Sequence, residues 1–535
     1  MKQPFLKITF FTILLLFSFH GGALPAGMVH LKIIDETDGR PVPARVLLRA
    51  ADGVCRVPEE APLLEIGRDT WFMSPGSSSI EVPAGKTELR VERGKEYLRV
   101  KSSFEIEENQ SLERIVRLKR WIDMRARGYM SAENHLHLSP KTVGAFCAAE
   151  DLNFGTVLQW WFRPQFGVPE GIGHIRNLSF GGVTVPTTVF DTELEYQWGA
   201  LYFIGLPNPC PFPDEPGKPN LAGAFYARER GTLNCYQGGW SREVLIDALL
   251  GLVDVVNICN NNFHLHRFQP RNRYSNLLNV EGFPVYPDTP EGMLSMNLET
   301  YYRLLNCGLK LAAGAGSATG VKESPAGFNR AYVRCFAGDG VEEMLEHWRR
   351  GRNFVTNGPM LFLRGPNDLR PGDSLELAGP GTELELEIEA ISDYPLRSVE
   401  VVVNGEVAAS LSLAQEQTHL AQKVTVPITE SAWICARATD LDYLLTDHEL
   451  AFYDQPPEGL YALANRLRFA HTSPIYVKLA GQRVAVERSL KEGLAIIEAF
   501  ERFAREKASE TYRGNILKAA NRARNELLRK LKSIE

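Results

Sequence analysis

The chain has no Cys-x-x-Cys pair, no Gly-x-Ser-x-Gly elbow, no P-loop and no dinucleotide fingerprint. Those absences exclude a zinc ribbon, a thioredoxin-type centre, the usual serine hydrolases and the common nucleotide-binding chemistries. Surplus positive charge is also lacking. With 59 Lys and Arg against 65 Asp and Glu the formal net charge is -6, so there is no footprint for nucleic acid. No internal repeat or low-complexity tract is present, and beyond the N-terminus no apolar run is long enough to span a bilayer. Eight cysteines are scattered over 535 residues. A core of this size does not need disulfides, so most of them read as small buried apolar residues, with one or two able to pair in an exported chain.

What is present begins with an export signal. Lys2 and Lys7 precede an apolar run from Ile8 to Phe19, and small residues follow through Ala26. That is the pattern of a secretory leader over residues 1–27, placing the mature protein in a secreted or periplasmic location with no membrane span once the leader is removed, an uncleaved anchor being the minor alternative. Residues 28–120 alternate in strand fashion between turns such as Asp38-Gly39 and Asp52-Gly53, which predicts a small β-sandwich. Residues 121–366 alternate short apolar strands (Gly155–Leu158, Val253–Ile258) with helical stretches (Ser241–Leu250, Thr300–Leu305), which predicts an α/β unit with a largely parallel sheet and its site at the strands' carboxyl ends. A second, hairpin-rich sandwich is expected over 367–455. The segment 456–535 then carries two amphipathic helices.

The feature that points to chemistry is His135-Leu136-His137, within Gly128-Tyr-Met-Ser-Ala-Glu-Asn-His-Leu-His-Leu-Ser-Pro140. On a strand, His-x-His sends both imidazoles to one face at a spacing that can grip a single metal ion. A second His-x-His, His264 and His266, follows the Val253–Ile258 strand. It is a candidate for metal, and its neighbours Arg267, Arg271 and Arg273 make it equally a candidate for an anion. Trp160 and Trp161 stand at another strand end, where they read either as ordinary packing or as the wall of a sugar or aromatic pocket. Asp191 and Glu193 could supply a general base, although a solvated carboxylate is the commoner outcome.

Taken together, Gly128–Pro140, the stretch Ala315–Val333 and His347–Pro359 resemble the CehA/McbA-like metallohydrolases, a branch of the PHP (polymerase and histidinol phosphatase) superfamily. The segment 28–120 resembles a carboxypeptidase-regulatory-like module, through Asp38-Gly-Arg-Pro-Val-Pro-Ala44 and Val82-Pro-Ala-Gly-Lys86. The first resemblance implies a distorted (β/α) barrel with divalent metals, usually zinc, manganese or iron, at its strand ends. It maps the family's paired histidines onto His135 and His137 and its acidic ligand onto Glu195. The aspartate that commonly precedes the pair is Asn134 here, and Ala200 stands where the family has histidine. The usual Thr-Asp-His has become Leu158-Gln-Trp-Trp161, and the late Ser-Asp-x-His has become Ser317-Ala-Thr-Gly320.

The sequence therefore leads to an exported, metal-dependent hydrolase of an ester, amide or phosphoester bond. Its α/β barrel is flanked by two β-sandwiches and followed by C-terminal helices. It would act on a small-molecule or carbohydrate substrate, with the oligomeric state left open. The rival from another class is a pseudoenzyme whose pocket binds a carbohydrate or an anion.

Overall fold

The computed structural model describes residues 26–161, 163–166, 173–210, 215, 217–263, 272–287, 289–441 and 467–534. Residues 1–25 of the expected leader lie outside that set, as do His264, His266, Arg267 and Arg271.

The N-terminal module is sandwich-like. A three-stranded sheet (Ser77–Pro83, Ala26–Asp35, Ser111–Leu118) faces a five-stranded one built around Ala44–Arg49 and Gly85–Glu92. The alternation visible in the sequence is the alternation of burial. Val29, Leu31 and Ile33 turn inward against Val46, Leu48 and Phe72, each stabilising the fold by about 1.5–3 kcal/mol through removal from water.

The middle of the chain is mixed α/β, and its sheet departs from the expectation of largely parallel strands. Seven strands run in the order Arg163–Pro164, Leu158–Trp161, Asp191–Tyr196, Gly199–Ile204, Leu233–Tyr236, Val255–Cys259, Ala312–Ala315. Leu158–Trp161 is parallel to Asp191–Tyr196, and the last three strands are parallel to one another. Gly199–Ile204 is antiparallel to both its neighbours. The physical reason is the connection. Only Gln197 and Trp198 separate Asp191–Tyr196 from Gly199–Ile204, with Gly199 at φ +123°, and a two-residue loop can join only antiparallel strands.

A nine-stranded sheet crosses from the middle segment into the C-terminal part. Tyr129–Ala132, Arg330–Arg334 and Asn353–Thr356 continue through Leu467–Thr472 into Ala432–Leu441 and Ile475–Leu479. A three-stranded sheet (Met360–Arg364, Thr382–Ile391, His419–Ile428) packs against it around Leu386, Ile388, Ile434 and Val477. The two amphipathic helices are Glu487–Lys507 and Glu510–Lys532. Their apolar stripes, including Leu490, Ile497, Phe500 and Leu527, join the same hydrophobic core as the middle sheet. Among the described residues no helix is long and apolar enough to cross a membrane. None of the eight cysteines is joined in a disulfide, and six of them are buried.

Candidate metal centre

The Tyr129–Ala132 strand delivers the residues that follow it to the carboxyl ends of the middle strands. Glu133 is fully buried and accepts the backbone N–H groups of Ser317 and Gly327, which staples the 315–330 stretch onto this segment. Burial pushes its carboxyl up to about 8, against the pull of those two donors. Asn134 turns to Asn257, and the two amides exchange hydrogen bonds of 2.8 and 2.9 Å. Residues 135–137 then lie between two strand ends. Leu158 donates its N–H to the Leu136 carbonyl at 3.1 Å, and His137 donates its own to Thr319 O at 2.8 Å. The turn carrying Thr319 holds Ala318 at φ +55°.

This anchoring brings the two imidazoles together. Their Nε2 atoms are 3.0 Å apart, and Glu193 Oε2 lies 3.1 Å from that of His137 and 3.5 Å from that of His135. These three residues form the one group among the described residues whose ligand atoms could share a metal ion. Zinc bonds of about 2.0–2.2 Å in a tetrahedral arrangement place neighbouring ligand atoms about 3.3 Å apart, so the observed spacings fit a common ion. The contacts to Glu193 Oε2 are not aligned as hydrogen bonds, and His137 Nδ1 is buried without one. The three residues are 3, 8 and 2 % exposed for His135, His137 and Glu193.

The protonation states suit a cation. Burial pushes the Glu193 carboxyl up, but His135 and then His137 together outweigh it and hold the group at about 2. His135 is held below its ordinary 6.5, first by burial and against the attraction of Glu193. An ionised carboxylate and a neutral imidazole are the forms that bind metal, and the shifts of Glu193 and His135 run toward them. Tyr202 completes the arrangement from the facing strand. It pairs with Glu193 across the hairpin, and its hydroxyl lies 2.9 Å from His135 Nδ1. With Nδ1–H donating to the Tyr202 oxygen, Nε2 of His135 is the nitrogen left to coordinate.

The residues expected from the sequence separate here. His135 and His137 meet. Glu195 sits on the same strand two residues beyond Glu193 and accepts the Trp161 indole N–H at 2.7 Å; burial first, then Glu193, raises its pKa. The structure thus sets Glu193, not Glu195, against the two histidines. Trp161 lies over His137 with ring centroids 4.8 Å apart, occupying space near the ligand that the resemblance assigns to this strand end. Trp160 is half-buried against the hydrophobic core. Asp191 is buried and accepts from Thr188 and from Gly205 N, so it is not a solvated loop carboxylate. Glu193 had a signal in the sequence. Asp191-x-Glu193-x-Glu195 places three carboxylates on one strand face, any of which the family's acidic position could use. Tyr202 had none, since its role depends on the register of the hairpin.

Comparison with protein-family models, with curated proteins and with solved structures finds no match to this chain.

Proposed function

We propose that the chain holds one divalent metal ion on His135, His137 and Glu193 and works as a metal-dependent hydrolase of an ester, amide or phosphoester bond. The observation that carries this reading is the convergence of two Nε2 atoms and one carboxylate oxygen at coordination spacing, in a buried place. Three protein ligands leave a tetrahedral ion one open position. Bound there, a zinc, manganese or iron ion supplies Lewis acidity to a scissile carbonyl or phosphoryl group. Glu193 brings the negative charge that retains the ion, Tyr202 orients His135, and Trp161 walls the site and positions the Glu195 carboxylate at its edge. The way residues 135–137 link the 158–161 strand to the turn after Ala312–Ala315 supports a barrel of the PHP kind, closed through the histidine segment.

One observation favours a second reading. Trp161 packs on His137 where the resemblance implies a further ligand, and a site reduced in this way could bind without turning over. Zinc-, manganese- or iron-loaded protein, assayed on p-nitrophenyl esters, an anilide and phosphomono- and diesters, decides between them. Hydrolysis that is abolished by chelation and by Glu193→Gln supports the hydrolase. Metal uptake with no turnover on any substrate overturns it in favour of the binding protein.

A further inference from the structure

A second cavity lies at the other end of the middle sheet. It opens beside Val253 and Leu311, just before the Val255–Cys259 and Ala312–Ala315 strands begin, whereas the histidines lie where those strands end. Its volume of about 470 Å³ falls in the range of about 300–1,000 Å³ typical of small-molecule sites. The last helix and the turn after Ile475–Leu479 close it, so four separate segments of the chain build its walls.

The lining divides into two chemistries. Val253, Leu309, Leu311, Val484 and Tyr476 are nearly fully buried and make an apolar floor. Around it stand Lys310, Lys478, Arg483 and Lys530, with Glu526 the one carboxylate in the lining. Glu526 is already engaged by Arg529, at 2.7 and 3.0 Å, and is 3.9 Å from Lys530. Lys478 is 3.4 Å from Glu376, which is itself exposed. Lys310 donates to Ser374 Oγ at 3.0 Å, and among the described residues Arg483 makes no ion pair. Lys530 is 8 % exposed and spends one of its three donors on the Cys307 carbonyl.

Four cations with a single carboxylate, Glu526, around an apolar floor make a locally positive cavity in a chain of net charge -6, a lining that attracts an anion with an apolar body. The lysines register that setting. Burial lowers the pKa of Lys310, and the charges of Lys478 and Arg483 lower it further; burial likewise lowers that of Lys530. We propose that this cavity binds a small amphiphilic carboxylate, its head held by Lys310, Lys478 and Arg483 and its apolar body resting on the floor of Val253, Leu309 and Leu311.

Titration calorimetry of the full chain with decanoate, decanol, acetate and inorganic phosphate tests this. Both Lys310 and Arg483 are exposed, so the Lys310→Ala/Arg483→Ala double variant should melt like the wild type. Decanoate is expected to bind saturably, one per chain, at least about tenfold more tightly than decanol or acetate, and at least about tenfold more weakly in the double variant, since charge-assisted contacts carry the head. Equal binding of decanol, or of acetate and phosphate, would overturn the amphiphile. So would an absence of binding, or an unchanged affinity in the double variant with its melting curve intact.

Discussion

A lone buried histidine and a buried histidine pair in this molecule differ in one respect that separates packing from chemistry. His471, in the nine-stranded sheet, has both ring nitrogens occupied: Nδ1 donates to the Thr472 carbonyl at 2.7 Å, and Nε2 accepts from the Tyr302 hydroxyl at 2.8 Å. Burial first, then the Arg437 charge, pushes it down to about 3, so it stays neutral and structural. His135 and His137 are as deeply placed, yet their Nε2 atoms face each other and a carboxylate, and His137 Nδ1 is left without a hydrogen bond. A satisfied imidazole needs nothing further. A pair whose Nε2 atoms converge beside a carboxylate has the spacing to share a cation.

The widest separation between the two is expected in metal content. After loading with zinc and desalting, mass spectrometry should find about one equivalent per chain in the wild type and in His471→Asn, and below about a tenth in His135→Ala or His137→Ala, because two ligands hold a divalent ion far more weakly than three. Full metal in both alanine variants would remove the distinction. Next comes the choice of carboxylate: Glu193→Gln should lose most of the metal and Glu195→Gln should keep it, with the reverse result assigning the ion to the outer residue. Tyr202→Phe should weaken metal affinity by about 10–100-fold through the loss of an outer-nitrogen partner. Tyr302→Phe should leave affinity unchanged and cost about 1 kcal/mol of stability, measured by denaturant unfolding.

The smallest effect is a pH dependence. His471 titrates at about 3 in the folded protein against an ordinary 6.5, so the unfolded chain binds the extra proton between those values. Its contribution to stability is therefore present above pH 6.5 and lost progressively as the pH falls toward 3. His471→Asn should flatten that part of the stability curve, and an unchanged slope would remove His471 as its source.

Local pattern made much of this architecture readable. The strands of residues 26–118 and the helices of 487–532 follow periods of 2 and 3.6. The His-x-His spacing points to the pair, but its residues follow the Tyr129–Ala132 strand and are held by Leu158 and Thr319 on either side of Leu136, not by the alternation of a strand. The mixed direction of the middle sheet was not readable, because its decisive turn carries no Asn-Gly or Asp-Gly signature. It contains Trp198, fully buried and packed on Phe500 and Phe503 of a C-terminal helix, so a residue some 300 positions away makes that turn acceptable. Glu193 was obscured for a related reason. Three carboxylates share its strand face, and which one meets the histidines depends on where residues 135–137 are docked by Leu158 and Thr319.

The most direct test of the account is an anomalous-difference map from crystals loaded with zinc or manganese. It should show one strong peak per chain, about 2.0–2.2 Å from Nε2 of His135, Nε2 of His137 and a carboxylate oxygen of Glu193. No peak between those residues after loading, or a peak elsewhere with this triad left bare, would contradict it.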